Sequence, residues 1–127
     1  MKRTAATRCT FVAYLVALTI GTHWPKLQIE GPVERPDLWI HFAAYGGLCV
    51  LCAASAWFGP ALSRRNIFVT AAITGVWSVV DEVTQGIPIL HRHVSLQDAL
   101  ANLGGVAMAT GALLVLRAAK PTGGSSR

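Results

Sequence analysis

Charge is what this sequence has least of. Asp, Glu, Lys and Arg together make up 13% of its 127 residues, about half the share of an ordinary soluble domain. With 53% hydrophobic residues and a mean hydropathy of +0.48, that scarcity argues against a small soluble helical core, whose helices need a polar face for water. The apolar segments here are greasy on nearly every side. Although the formal charge is +5, the basic residues sit between apolar segments and at both ends rather than along one face, which excludes a nucleic-acid surface. Cysteine is scarce too. Cys9, Cys49 and Cys52 all fall inside apolar runs, and the C-x-x-C formed by the last two lies mid-helix with no His or second cysteine pair beside it. It reads as small apolar filler, not as a redox or metal centre. No internal repeat is present, and nothing calls for a cofactor.

What remains is a chain sized for one domain and built from four apolar runs. The first, about 9–24, follows Lys2, Arg3 and Arg8 and ends at Trp24-Pro25; no A-x-A cleavage site follows it. It therefore reads as an uncleaved helix rather than a signal peptide, with Trp24 as an interface anchor. A Pro- and Gly-rich loop leads to the second span, about 37–58, which stops at Gly59-Pro60. After Ser63-Arg64-Arg65-Asn66 comes the third, about 67–87, closed by Gly86 and Pro88. The fourth runs about 95–116, opening on Ser95 with Asp98 in an S-x-x-D start that resembles a capping box. The sequence thus predicts an all-α, four-transmembrane-helix bundle over 1–116 and a disordered tail over 117–127. Lipid is its first partner.

Orientation follows from Lys and Arg. One side carries eight (Lys2, Arg3, Arg8, Arg64, Arg65, Arg117, Lys120, Arg127) and the other three (Lys26, Arg35, Arg92). The positive-inside rule puts the eight, and with them both termini, in the cytoplasm of a cell whose cytoplasmic membrane holds the chain. All six acids then fall on the outer side: Glu30 and Glu34 in the first outer loop, and Asp37, Asp81, Glu82 and Asp98 at the outer ends of spans two, three and four.

Helical spacing gathers these acids with other polar groups. Asp37, His41 and Tyr45 are successive i, i+4 positions on span two. Thr74, Ser78, Asp81 and Gln85 form a stripe on span three with Glu82 on its flank, and Asp98 and Asn102 share a face of span four with Gly105. Gly104, Gly105, Ala109 and Gly111 would let a neighbouring backbone approach that helix. Singly, each polar residue has an ordinary explanation: Asp37 and Asp98 as helix caps, His41 and Tyr45 as interfacial residues, Asn102 as interhelical glue. Asp81 beside Glu82 inside an apolar run has none, because an ionised group facing lipid costs about 2.5–3.5 kcal/mol. Turning the stripes toward one another and toward Arg92 makes a wet or hydrogen-bonded pocket open to the outside. Four carboxyls beside one certain cation, with His41, His91 and His93 as helpers, cannot all stay ionised at close range. Either one keeps its proton, which suits acid/base work by Glu82, His41 or Asp81, or a cation occupies the site, although the spacing matches no metal-ligand signature.

At these residues the chain resembles the VanZ-like family of small bacterial membrane proteins. Asp37-Leu-Trp-Ile-His41-Phe42-Ala-Ala-Tyr45 is similar to the family's D-K-x-x-H-F-x-x-Y, and Asp81-Glu82-Val-Thr-Gln85 to its D-E-x-x-Q. Arg92-His-Val-Ser95-Leu-Gln-Asp98, continuing to Asn102 and Gly105, is similar to R-x-x-S-x-x-D-x-x-x-N-x-x-G. Two positions depart: Leu38 stands where Lys is usual, and Ile89-Leu90-His91 where a Pro-Gly turn is common. The resemblance implies action at the cell envelope, and the family's namesake is associated with resistance to the glycopeptide teicoplanin. The polar set Asp37, His41, Tyr45, Asp81, Glu82, Gln85, Arg92, Ser95, Asp98 and Asn102 then has three readings: a binder of a lipid-linked or glycopeptide-like ligand, a small intramembrane enzyme acting on a lipid headgroup, or a structural helper subunit.

Overall fold

The computed structural model describes residues 2–25, 34–90 and 93–120. These form α1 (Lys2–Thr22), α2 (Pro36–Ala54), α3 (Arg64–Gln85) and α4 (Leu96–Ala119), with a 3-10 turn at Pro88–Leu90 and no strand among the described residues. Each helix is long and apolar enough to cross a bilayer. Even the 19-residue α2 reaches about 28 Å, close to the thickness of the hydrocarbon core. The chain is therefore a multi-pass membrane protein in its architecture.

Burial is inverted relative to a protein folded in water. On α3 the residues turned inward are Asn66, Ile67, Thr70, Thr74, Ser78, Asp81, Glu82 and Gln85, spaced at three or four and so on one face. Its outward face carries Phe68, Ile73, Val76, Val79, Val80 and Val83, all exposed. Water would penalise that arrangement and hydrocarbon favours it. The apolar core is small, centred on Tyr45, Leu48, Cys49, Val106 and Ala109. Cys49 and Cys52 are buried free thiols and Cys9 is an exposed one.

Four helix boundaries differ from the sequence expectation. α1 begins at Lys2, well before Cys9, because hydropathy marks where lipid starts while Lys and Arg remain good helix formers. α2 stops at Ala54 rather than near 58: Ala56 takes a left-handed φ of 52°. The freed carbonyls of Ser55 and Ala56 are taken by Arg8, whose Nε and Nη2 donate to them at 3.1 and 3.5 Å. The same guanidinium lies 4.2 Å from the Trp57 ring centroid, so Arg8 caps a neighbouring helix as well as carrying charge. α3 starts early, at Arg64, since the Ser63 side chain accepts from the Asn66 N–H; Asn66 in turn donates to the carbonyls of Ala53 and Ala61 at 2.8 and 3.0 Å, pinning the turn. α4 continues through Arg117 to Ala119, into what the sequence assigned to a disordered tail; residues 121–127 lie outside the described ones.

α2 and α4 form the most extensive contact of the bundle. Glycine makes it possible. A Cβ on Gly105 would collide with the Phe42 carbonyl, and one on Gly46 would come within 3.2 Å of the Gly105 oxygen. Gly104 packs against the Phe42 ring, whereas Gly111 meets nothing, so only part of the small-residue run serves the crossing. Tyr14 fastens α1 by donating its hydroxyl to the Ala44 carbonyl at 2.9 Å. We expect Gly105→Ala to cost about 1–3 kcal/mol through overpacking, while Gly111→Ala is neutral or stabilising by about 1 kcal/mol through helix propensity. Thermal unfolding of the two variants in detergent checks this; equal melting would mean that the backbones do not approach so closely.

Candidate functional site

The chain's alternation brings the C-terminal ends of α1 and α3 beside the N-terminal ends of α2 and α4. Asp37 and Asp98 lie in the first turns of α2 and α4, where the positive ends of the helix dipoles favour acids. Asp81 and Glu82 come from the last turns of α3, which offer no such benefit. Those two must be stabilised by partners.

They are. Gln85, one turn beyond Asp81, donates Nε2 to Asp81 Oδ2 and to Glu82 Oε2, both at 3.3 Å. Asp81 Oδ1 accepts from the Thr22 hydroxyl at 3.1 Å and lies 3.6 Å from His23 Nδ1. Glu82 Oε1 accepts the backbone N–H of Ser95 at 2.6 Å. This last bond changes the meaning of the S-x-x-D pattern. In a capping box the residue at N3 reaches back to the N-cap N–H. Here Ser95 Oγ does accept from the Asp98 N–H at 3.2 Å, but Glu82 of another helix occupies the reciprocal place. Asp98 faces Arg35 instead, at 3.6 Å.

His41 supplies the next layer. Its Nδ1 is 2.9 Å from Asn102 Oδ1. Tyr45, a turn deeper, is fully buried. Its hydroxyl is close enough to Asp81 and Glu82 to feel both, yet it makes no hydrogen bond of ordinary geometry. Asn102 Nδ2 and Asp98 Oδ1 are likewise buried without a hydrogen-bond partner.

The structure therefore brings together His41, Tyr45, Asp81, Glu82, Gln85, Ser95, Asp98 and Asn102. Asp37 stands apart on the rim, held by Arg35 Nη2 at 2.9 Å and Nε at 3.4 Å. Arg92 and His91 lie outside the described residues. Where an outward-opening pocket was expected, the described residues form a closed cluster: Tyr45, Asp81, Glu82, Gln85 and Asn102 are between 0 and 2% exposed. No group of His, Cys, Asp and Glu among them has the arrangement of a metal site.

Sequence reasoning missed the contributions of α1 and of the loop before α2. Thr22 and His23 join the acids of α3, and His23 Nε2 also meets Thr84 Oγ1 at 2.9 Å. Their signal was present: Thr19, Thr22 and His23 repeat at three and four residues, in the one turn of α1 that reaches the depth of Asp81. Arg35, a non-glycine residue at φ 54°, swings its guanidinium toward Asp37, Asp98 and Gln97. Nothing local in the sequence announced that reversal.

No protein-family model, curated protein or solved structure matches this chain. Glu82→Ala should lower unfolding stability by about 1–3 kcal/mol, because the Ser95 N–H and the Gln85 amide lose an acceptor in a buried site. Glu82→Gln keeps a carbonyl oxygen for Ser95 and should cost less. Denaturation in detergent reads both, and wild-type stability for the alanine variant would refute the interhelical cap.

Proposed function

We propose that this chain is a VanZ-like protein of the bacterial cytoplasmic membrane, with both termini in the cytoplasm, whose acidic end lies at the outer leaflet. There it receives the polar headgroup of a lipid or of a lipid-linked, glycopeptide-like ligand. The resemblance over Asp37–Tyr45, Asp81–Gln85 and Arg92–Gly105 supports the family, and the eight-to-three imbalance of Lys and Arg supports the orientation. Arg35 stands near Asp37 and Asp98, so a cation serves this end although Leu38 replaces the family's usual Lys. Antibiotic tolerance of the teicoplanin kind is one outcome such binding has at an envelope.

One observation carries the binding reading. A cluster that exists only to hold helices together satisfies its own polar groups; this one leaves the Tyr45 hydroxyl and Asn102 Nδ2 without a hydrogen bond of ordinary geometry. Each unmet buried group costs about 1–3 kcal/mol. Two donors held in that state suit a ligand that presents acceptor oxygens, as sugar and phosphate headgroups do. Arg35, half-exposed on the rim beside Asp37, marks the edge from which such a group would approach.

A second reading is favoured by His41. Its Nδ1 lies 2.9 Å from Asn102 Oδ1 and its ring is near Glu82, and an imidazole beside a carboxyl is the pairing that headgroup acid/base chemistry requires. Arg92 would orient an anionic headgroup in that case.

Tyr45→Phe separates function from structure. Removing an unmatched buried hydroxyl should leave thermal stability unchanged or slightly raised, while lipid or lipid-linked species that co-purify with the wild-type protein fall at least about tenfold by mass spectrometry, a loss of about 1.4 kcal/mol of binding. An unchanged lipid complement, together with unchanged teicoplanin susceptibility of the expressing cells, would sink the binding reading. Turnover of a headgroup that Glu82→Gln abolishes would favour the enzyme.

A further inference from the structure

The end of the bundle away from the acids holds a second feature. Between the start of α3 and the last turns of α4 lies a groove of about 1070 Å³, ample for a phospholipid headgroup and the first part of its chains. Its walls are of two kinds. Leu62, Phe68 and Leu114 give it an apolar lining, and Arg64, Arg117 and Lys120 stand around it. All three cations are exposed, as is Phe68.

Charge there is of one sign. Every acidic residue described is Glu34, Asp37, Asp81, Glu82 or Asp98, and these belong to the opposite end. The three cations consequently have no carboxylate to pair with among the described residues. Arg117 donates Nη1 to the Leu62 carbonyl at 3.0 Å, a bond that fixes the guanidinium beside the groove and leaves its other donors unused. Charges placed merely to orient a membrane protein need only lie on the correct side. These converge from two elements more than fifty positions apart in sequence on a single concavity. The groove also sits at the level where both helices end, and hence at the boundary between hydrocarbon and headgroups.

We propose that this groove is a binding site for one anionic phospholipid, its phosphate among Arg64, Arg117 and Lys120 and its upper acyl chain against Phe68 and Leu114. The occupant follows from the walls. A soluble anion would leave the apolar side unused, a zwitterionic lipid would bring a cation to a cationic rim, and a phosphatidylglycerol-like lipid matches both. Basic pockets between transmembrane helices take such headgroups on the same physical grounds. The proposal is independent of the function assigned to the acidic end.

Native mass spectrometry of the full chain in detergent micelles tests it, with phosphatidylglycerol and phosphatidylcholine of identical acyl chains added in turn. Phosphatidylglycerol should be retained as a single adduct and phosphatidylcholine should not. Arg117→Gln and Lys120→Gln should each lower occupancy about fivefold, the effect of one basic residue near an anionic surface; Lys120 makes no side-chain hydrogen bond among those described, so its loss does not disturb the fold. Arg65→Gln removes the same charge from the same end but outside the groove, and should leave occupancy nearly unchanged. Equal retention of the two lipids, or equal losses from Arg65→Gln and Lys120→Gln, would overturn the site in favour of diffuse surface charge. Full displacement of the adduct by glycerol phosphate would overturn the lipid as occupant.

Discussion

Hydrocarbon offers no hydrogen bonds, so every polar side chain placed at its depth must find a partner within the protein or face outward at several kcal/mol. The inward stripe of α3, from Asn66 to Gln85, is the largest such demand in this chain, and the other helices are arranged around meeting it. α2 brings His41 and Tyr45, α4 brings Ser95 and Asn102, and α1 brings Thr22 and His23. Apolar packing then contributes shape rather than drive, since lipid tails are as apolar as leucine. The glycine-mediated approach of α2 and α4 fits that role. It sets the distance at which Asn102 can reach His41.

The two ends of the bundle divide the work. At one, carboxylates are buried and matched almost completely, with a few polar atoms left over; at the other, cations are exposed around an open groove. No described acid lies at the basic end, and Arg35 is the one described Lys or Arg at the acidic end. The excess of Lys and Arg at one end is the asymmetry on which the positive-inside rule rests. The separation of sign also gives each end its own chemistry: buried carboxylates among hydrogen-bond donors on one side, exposed cations on the other.

The helices and their inward faces were legible in the sequence because both rest on periodicity, which survives without knowledge of neighbours. The stripe Thr74, Ser78, Asp81, Gln85 could be read at helical spacing, and the structure turns all four inward. Helix ends were less legible. Arg8 terminates α2 by taking the Ser55 and Ala56 carbonyls across 47 and 48 positions, a contact that no local pattern encodes. Arg35 is similar, since its reach toward Asp98 depends on a left-handed backbone that an arginine rarely adopts. The S-x-x-D pattern was read correctly as a helix start, but local capping rules could not show that Glu82 would take the place of Asp98 in it.

That exchange ties two helices into one. A start of α4 whose Ser95 N–H is met by a carboxylate of α3 is complete only when its predecessor is already beside it. The bond thus makes the cap of one helix a property of the pair. A lone α3 would have to carry Glu82 into the bilayer without that donor; beside α4 the carboxyl is met by the Ser95 N–H. Partners drawn from consecutive segments, more than the greasiness of each, are what let so small a protein bury two adjacent acids.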